Sequence, residues 1–582
     1  MNRRSFLAKA AVLPISGHAA VAASLMATTK DEIHLGTRGY ENQPIMNRYR
    51  LTLERVLHGT EPRYTPEFLI EDIRATQGRR FTNFSGDVSG RWIGSLATAS
   101  AAYGEHIPIL DDVVQQIIAL QHADGYFGSS FHVDAPGDDD MALLWGNGRL
   151  LVGLMEYYEL AKKSEVLSAA RRLGDFLLRI APKFNSPKMA SDFNESHFAT
   201  SYICWTQQTE GLALLYKATN DKQYLNLAAA ISERIERRPG DHVHGYLCSL
   251  RGTLDLFSLT GNRHFYEQVE AAWQDVTHSG DLLVTGGVPE AWSPKKLRTE
   301  GCAECDWMRL NLALWRASGK EEYLALAEDI IFNEFAMNQF LTGDFGHAVL
   351  NEFGTPETLM VRAWWCCTFH GLRAFPEIHQ SVFRVRPGEA FYDLPLDGHV
   401  SSAGFSAHAE SRIAIDGTVR IFITRSPLWQ ALTLRRPAWA HDMSVSLNGS
   451  AFSGLRIPGL KAGDEIIVKY GMNLSCSPSR EGRISAGRKT FHYGPWLLGV
   501  SSETNPKYFN ELQASNVLLS VHARSRQGDA DLPFHVPVAT ATATYRPAEF
   551  PEQPAVVELR AIAEQTAYRP ARWQMTFIVE NK

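Results

Sequence analysis

Seven cysteines in 582 residues are too few to staple a fold with disulfides. Long apolar runs are also missing: beyond the first thirty residues no stretch could cross a bilayer. Charge of one sign is scarce as well. The 58 Lys and Arg stand against 64 Asp and Glu, with no basic stripe to hold nucleic acid and no acidic tail. What remains is a hydrophobic fraction of 45%, which excludes a disordered chain and leaves ample material for the core of a two- to four-domain globular protein. Aromatic residues and histidines are plentiful, as they are in large cores and in sugar-binding clefts.

Residues 1–30 read as a leader. Arg3 and Arg4 are followed by Phe6 and Leu7, then by a mildly apolar stretch broken by Pro14 and Gly17, with Ala20 and Ala22 suited to cleavage. The pattern resembles a bacterial twin-arginine export signal and predicts a periplasmic protein without a membrane anchor. That route carries folded proteins, so a thiolate–metal site can assemble in the reducing cytoplasm before export.

From about residue 90 to 380 the apolar residues recur at helical spacing, as in "DDVVQQIIALQ" and "EVLSAARRLGDFLLRIA". A phrase repeats within this span: "EYYELAKKSEVLSAA", "LLYKATNDKQYLNLA", "LFSLTGNRHFYEQV" and "LWRASGKEEYLALA", marked by Tyr158, Tyr216, Phe257 and Trp315. Each copy reads as a helix end, a short polar turn and a new helix. Hairpins in series predict a ring of paired helices, an (α/α)6 toroid over residues 31–385 whose loops converge on a cleft. After that, short alternating runs separated by Gly, Pro, Asn and Asp predict β-sandwich structure over 386–582.

The rare cysteines are not scattered. "RAWWCCTFHG" sets Cys366 beside Cys367, and "TEGCAECDWMRL" crowds Glu300, Cys302, Glu304 and Cys305 ahead of a helix. A disulfide between neighbouring cysteines closes a strained ring, whereas adjacent thiolates suit zinc, which takes four S, N or O ligands. Two sets compete on spacing: the four thiolates Cys302, Cys305, Cys366 and Cys367, or Glu300 with Cys302, Cys366 and Cys367.

"EGCAECDWMRL" and "WWCC", flanked by a helical toroid and by "LTLRRPAW" and "GRKTFHYGPW", resemble glycoside hydrolase family 127, the β-L-arabinofuranosidase group. "SGDVSGRWIGSLATASA", "LQHADGYFG" and "WGNGRLLVGLMEYY" extend the likeness along nearly all of the mature chain. The resemblance implies a retaining exo-glycosidase acting on an arabinose-containing glycan. It implies a zinc held by Glu300, Cys302, Cys366 and Cys367, with Cys366 also the nucleophile and Cys305 a helix residue. The acid/base falls on Glu290, in "VTGGVPEAW", with Glu304 as the fallback. By the same resemblance His242, His347 and His370 lie near cleft positions and are expected to contact the sugar, ahead of His132 and His244. Arg149 stands where relatives often carry histidine and is expected to read a carboxylate on the sugar. Asp138 to Asp140 read as a solvated loop. Two other classes fit the same chain: a metal-free sugar epimerase on a similar toroid, and a carbohydrate-binding protein with a purely structural zinc.

Overall fold

The computed structural model describes residues 43–580 apart from 75–82, 194–198, 293–296, 351–355, 364, 403, 427–429, 481–486, 511, 526–538 and 565–570. The leader at residues 1–30 lies outside the described residues. No helix among the described residues is long and apolar enough to cross a membrane.

Six helices stand side by side as staves: α1 (Asp87–Tyr103), α2 (Asp138–Ala161), α3 (Gln208–Thr219), α4 (Val243–Thr260), α5 (Gly301–Ser318) and α6 (Cys366–Gln380). Each packs on the next, and α6 packs back on α1, so the ring closes. A second helix backs each stave: Pro108–Ile118, Ser164–Phe184, Lys222–Ser232, Arg263–His278 and Glu321–Phe332 follow α1 to α5, while Pro44–His58 backs α6. This is the expected toroid.

The repeated phrase is the stave's stop signal. At the ends of α2 to α5 the carbonyls of Tyr158, Tyr216, Phe257 and Trp315 accept the N–H groups of Lys162, Asn220, Gly261 and Gly319. Those four residues adopt the left-handed conformation that ends a helix. Asp221 and Asn262 then cap the outer helices through the N–H groups of Gln223 and His264.

Asp138 to Asp140 form the first turn of α2 rather than a loop. Asp140 is buried and accepts the backbone N–H groups of Gly137 and His132, which explains three acids in a row at a helix start. A comparable cap holds α1 from outside. Asp72, on Pro66–Arg74, accepts the N–H groups of Gly86, Val88 and Ser89, all at 3.1 Å. Asp72→Ala strands three buried donors at the start of the stave that carries Asp87 and Arg91. The expected loss is about 3 kcal/mol, seen as a lower midpoint of thermal unfolding; an unchanged midpoint would show that the cap is dispensable.

One element lay outside the sequence expectation. Between α4 and α6 the chain builds an antiparallel sheet, one strand before α5 and two after it, in the order β1 (Leu297–Glu300), β2 (Gly346–Leu350), β3 (Pro356–Arg362). Its register sets Glu300 opposite His347. Beyond the toroid, six- and four-stranded sheets occupy residues 383–470, and the strands from Leu474 to Val579 form a further eight-stranded sheet of their own. Asn333 ties that last sheet to the toroid: its amide donates to Pro495 O and accepts from Leu497 N.

Candidate active site

Each stave contributes side chains to the lumen at helical spacing, so they form layers. The upper layer holds Asp87, Trp145, Cys302 and Cys366 near the N-terminal ends of α1, α2, α5 and α6. Four residues further along the same helices come Arg91, Arg149, Asp306 and His370, one turn deeper. His242 and His244, at the start of α4, span the two layers.

Cys366 is the first residue of α6, where unpaired backbone N–H groups favour an anion. Its sulfur lies 3.7 Å from Cys367 Sγ, and Cys302 Sγ lies 3.8 Å from Cys367 Sγ. Both separations are far beyond a disulfide and match the ~3.8 Å edge of a tetrahedron with metal–sulfur bonds of ~2.3 Å. Donor atoms of Glu300, His347, Cys366 and Cys367 also lie within 4.8 Å of one another, so this corner of the lumen can hold a metal ion. Cys302 joins it through Cys367.

The three thiols differ in proton affinity. Burial pushes all three up, and each neighbouring thiol raises Cys302 further. Cys367 is also raised well above the ordinary thiol range, whereas hydrogen bonds from Cys302, Cys367 and His347 hold Cys366 well below it. Cys366 is also 8% exposed where Cys302 and Cys367 are fully buried, so the thiol held below the ordinary range is the least buried of the three.

Glu290 faces this cluster. Its main chain is fixed on both sides, donating to Arg298 O at 2.7 Å and accepting from Val243 N at 2.9 Å. Burial and the nearby Glu300 carboxylate raise its carboxyl above the ordinary value, against the pull of His347, Arg298 and His242. His347 connects the two halves, with Nδ1 3.7 Å from Glu290 Oε1 and Nε2 3.9 Å from Cys367 Sγ. Glu300 is held in turn by His242 Nε2 at 3.4 Å; against burial, which raises its carboxyl, His242 brings it below the ordinary value.

The other sequence candidates are placed elsewhere. Glu304 and Cys305 point away from the thiol cluster; Glu304 accepts from Asn338 Nδ2 at 2.8 Å, and burial and Glu334 raise its carboxyl. His132 is an exposed side chain on Asp140. His370 is fully buried one turn beneath Cys366, against Asp306 and the ring of His244. Arg149 is equally buried, and its guanidinium is spent on Glu210 at 3.1 Å and Cys248 Sγ at 3.0 Å. The sequence shows Arg149 but not its partner sixty residues on, so the expectation of a free carboxylate reader is corrected to an internal ion pair.

Four residues of the site carried no reading from sequence. Trp145 Nε1 and Arg91 Nε both donate to Asp87 Oδ1, and Arg91 Nη1 then reaches Cys302 Sγ at 3.8 Å. Arg298 lies two residues before Glu300 on β1, and strand alternation puts the two on one face. That spacing was the available signal, hidden because a four-residue strand between helices gives no readable alternation.

A family profile described as "Beta-L-arabinofuranosidase, GH127 catalytic domain" matches residues 54–380, more than half of the chain. Among solved structures, a GH127 beta-arabinofuranosidase superposes with a TM-score of 0.70 at 17% identity, covering 92% of this chain and 94% of its own. A GH127 beta-L-arabinofuranosidase from Geobacillus stearothermophilus T6 gives 0.69 at 16% identity, covering 93% and 100%. At these identities the likeness speaks for the fold. No curated protein sequence matches.

Proposed function

Because this chain belongs to the GH127 family and is a glycoside hydrolase, we propose that it releases a terminal β-L-arabinofuranosyl residue with retention, Cys366 acting as nucleophile and Glu290 as acid/base. The observation that carries the reading is the convergence on one corner of the lumen of Cys366, the least buried of three clustered thiols, and Glu290, whose raised carboxyl lies beside Glu300 of the same cluster. Retaining glycosidases pair such a nucleophile with an acid/base across a gap of ~5 Å.

Cys366 Sγ attacks the anomeric carbon while Glu290 gives its proton to the departing oxygen. Glu290 then takes a proton from water, which displaces the sulfur by attacking from the face that the leaving group vacated. His242 holds Glu300 ionised, and the start of α6 favours negative charge on Cys366 throughout. Glu300, Cys302, Cys366 and Cys367 would hold zinc, which when bound supplies the positive charge that keeps three buried thiols ionised and oriented. His347, whose Nδ1 faces Arg298 and Glu290, is read as a neighbour of the metal site and a sugar contact. The leader at residues 1–30 supports a periplasmic setting for this chemistry.

Elemental analysis of purified protein is expected to find about one zinc per chain. Cys302→Ala should lose the metal and His347→Ala should keep it. Absence of stoichiometric metal, or the reverse pattern, would overturn the ligand set.

A further inference from the structure

Arg298 blocks the proposed acid. Its Nε lies 2.7 Å from Glu290 Oε2 and its Nη2 donates to Glu290 Oε1 at 2.8 Å, so one guanidinium occupies both carboxylate oxygens. Neither oxygen can meet a glycosidic oxygen while the fork stays in place. The Arg298 side chain is 43% exposed against 15% for Glu290, so the fork approaches from the solvent side, where a leaving unit would project. The other arginines of the lumen are bound inward, Arg91 to Asp87, Arg149 to Glu210, and Arg251 and Arg309 to Asp306. Arg298 alone among these is both at the acid and open to solvent. A planar guanidinium leaves one carboxylate most readily for another of the same geometry.

We propose that Arg298 selects substrates whose leaving unit carries a carboxylate, as a uronic acid does, its guanidinium passing from Glu290 to that carboxylate as the substrate seats. The inference rests on the reading of Glu290 as acid/base and extends it to a substrate class: a terminal furanose linked to an acidic sugar. A neutral leaving unit offers Arg298 nothing in exchange, so Glu290 stays covered.

The test compares 3-carboxyphenyl and 3-carbamoylphenyl β-L-arabinofuranosides, leaving groups alike in shape and differing in charge. The enzyme is expected to favour the carboxylate on the order of ten- to a hundredfold in kcat/KM, the range of a charge-assisted bidentate contact. Arg298→Gln should erase the preference by slowing the carboxylate compound and speeding the neutral one, whose acid is now uncovered. Arg298→Lys, a cation without the fork, should recover part of it. Equal rates in the parent enzyme, or an equal loss on both compounds in Arg298→Gln, would overturn the proposal. If neither compound is cleaved the furanosidase reading fails, and NMR titration with free galacturonate and galactose then decides on Arg298 alone. Tighter galacturonate binding that Arg298→Gln abolishes supports the fork; equal binding of the two sugars refutes it.

Discussion

Cys366→Ser should lose turnover on the order of 10⁴-fold or more, the cost of removing a covalent nucleophile. The alcohol has a far higher pKa than the thiol and is a poorer zinc ligand, so little nucleophile would form. The structure also distinguishes the pair. Cys367 is fully buried with a raised thiol, so Cys367→Ser should act through the metal site, lowering zinc content and thermal stability together with activity. Cys366→Ser also removes a proposed zinc ligand, so its distinguishing mark is a rate loss that persists when zinc is restored, whereas Cys367→Ser should recover part of its activity. Steady-state kinetics beside elemental analysis of the two variants at saturating zinc checks this. Equal recovery of rate in both variants would reduce the pair to structural ligands.

Glu290→Gln is the second large effect, about 10²–10⁴-fold on substrates with poor leaving groups. The loss should shrink as the leaving group becomes more acidic, because a good leaving group departs without a proton. That dependence separates a proton donor from a residue that merely anchors Arg298, whose removal would slow every substrate alike. Measuring kcat/KM across aryl furanosides of graded phenol acidity makes the distinction. A loss independent of the leaving group would take Glu290 out of the chemistry.

The candidate site was legible where it is local in sequence. Glu300 with Cys302 and Cys366 with Cys367 are written as short motifs, because side chains on one strand end and two helix starts need only the first turn of each to converge. The toroid was legible for a similar reason: Tyr158, Tyr216, Phe257 and Trp315 recur because every stave must end the same way before its outer helix returns. Non-local pairing was not. Arg149 looks free in sequence, and only the fold brings Glu210 of the next stave against it. His370 looks like a neighbour of the cysteine pair, yet one helical turn puts it in the layer below, where Asp306 and His244 enclose it. The sheet that sets His347 opposite Glu300 rests on strands too short to announce themselves, so the ring that joins the acid to the sulfurs carried only a general expectation of sugar contact.

The sulfur assignment is tested most directly by trapping the enzyme with an electrophilic β-L-arabinofuranose analogue and mapping the modified peptide by mass spectrometry. One label per chain on Cys366, with Cys367 unmodified, is the expected result, since Cys366 at the start of α6 is the least buried of the three sulfurs and the one held below the ordinary thiol range. Label on Cys367, or on Glu290 with both cysteines untouched, would contradict it.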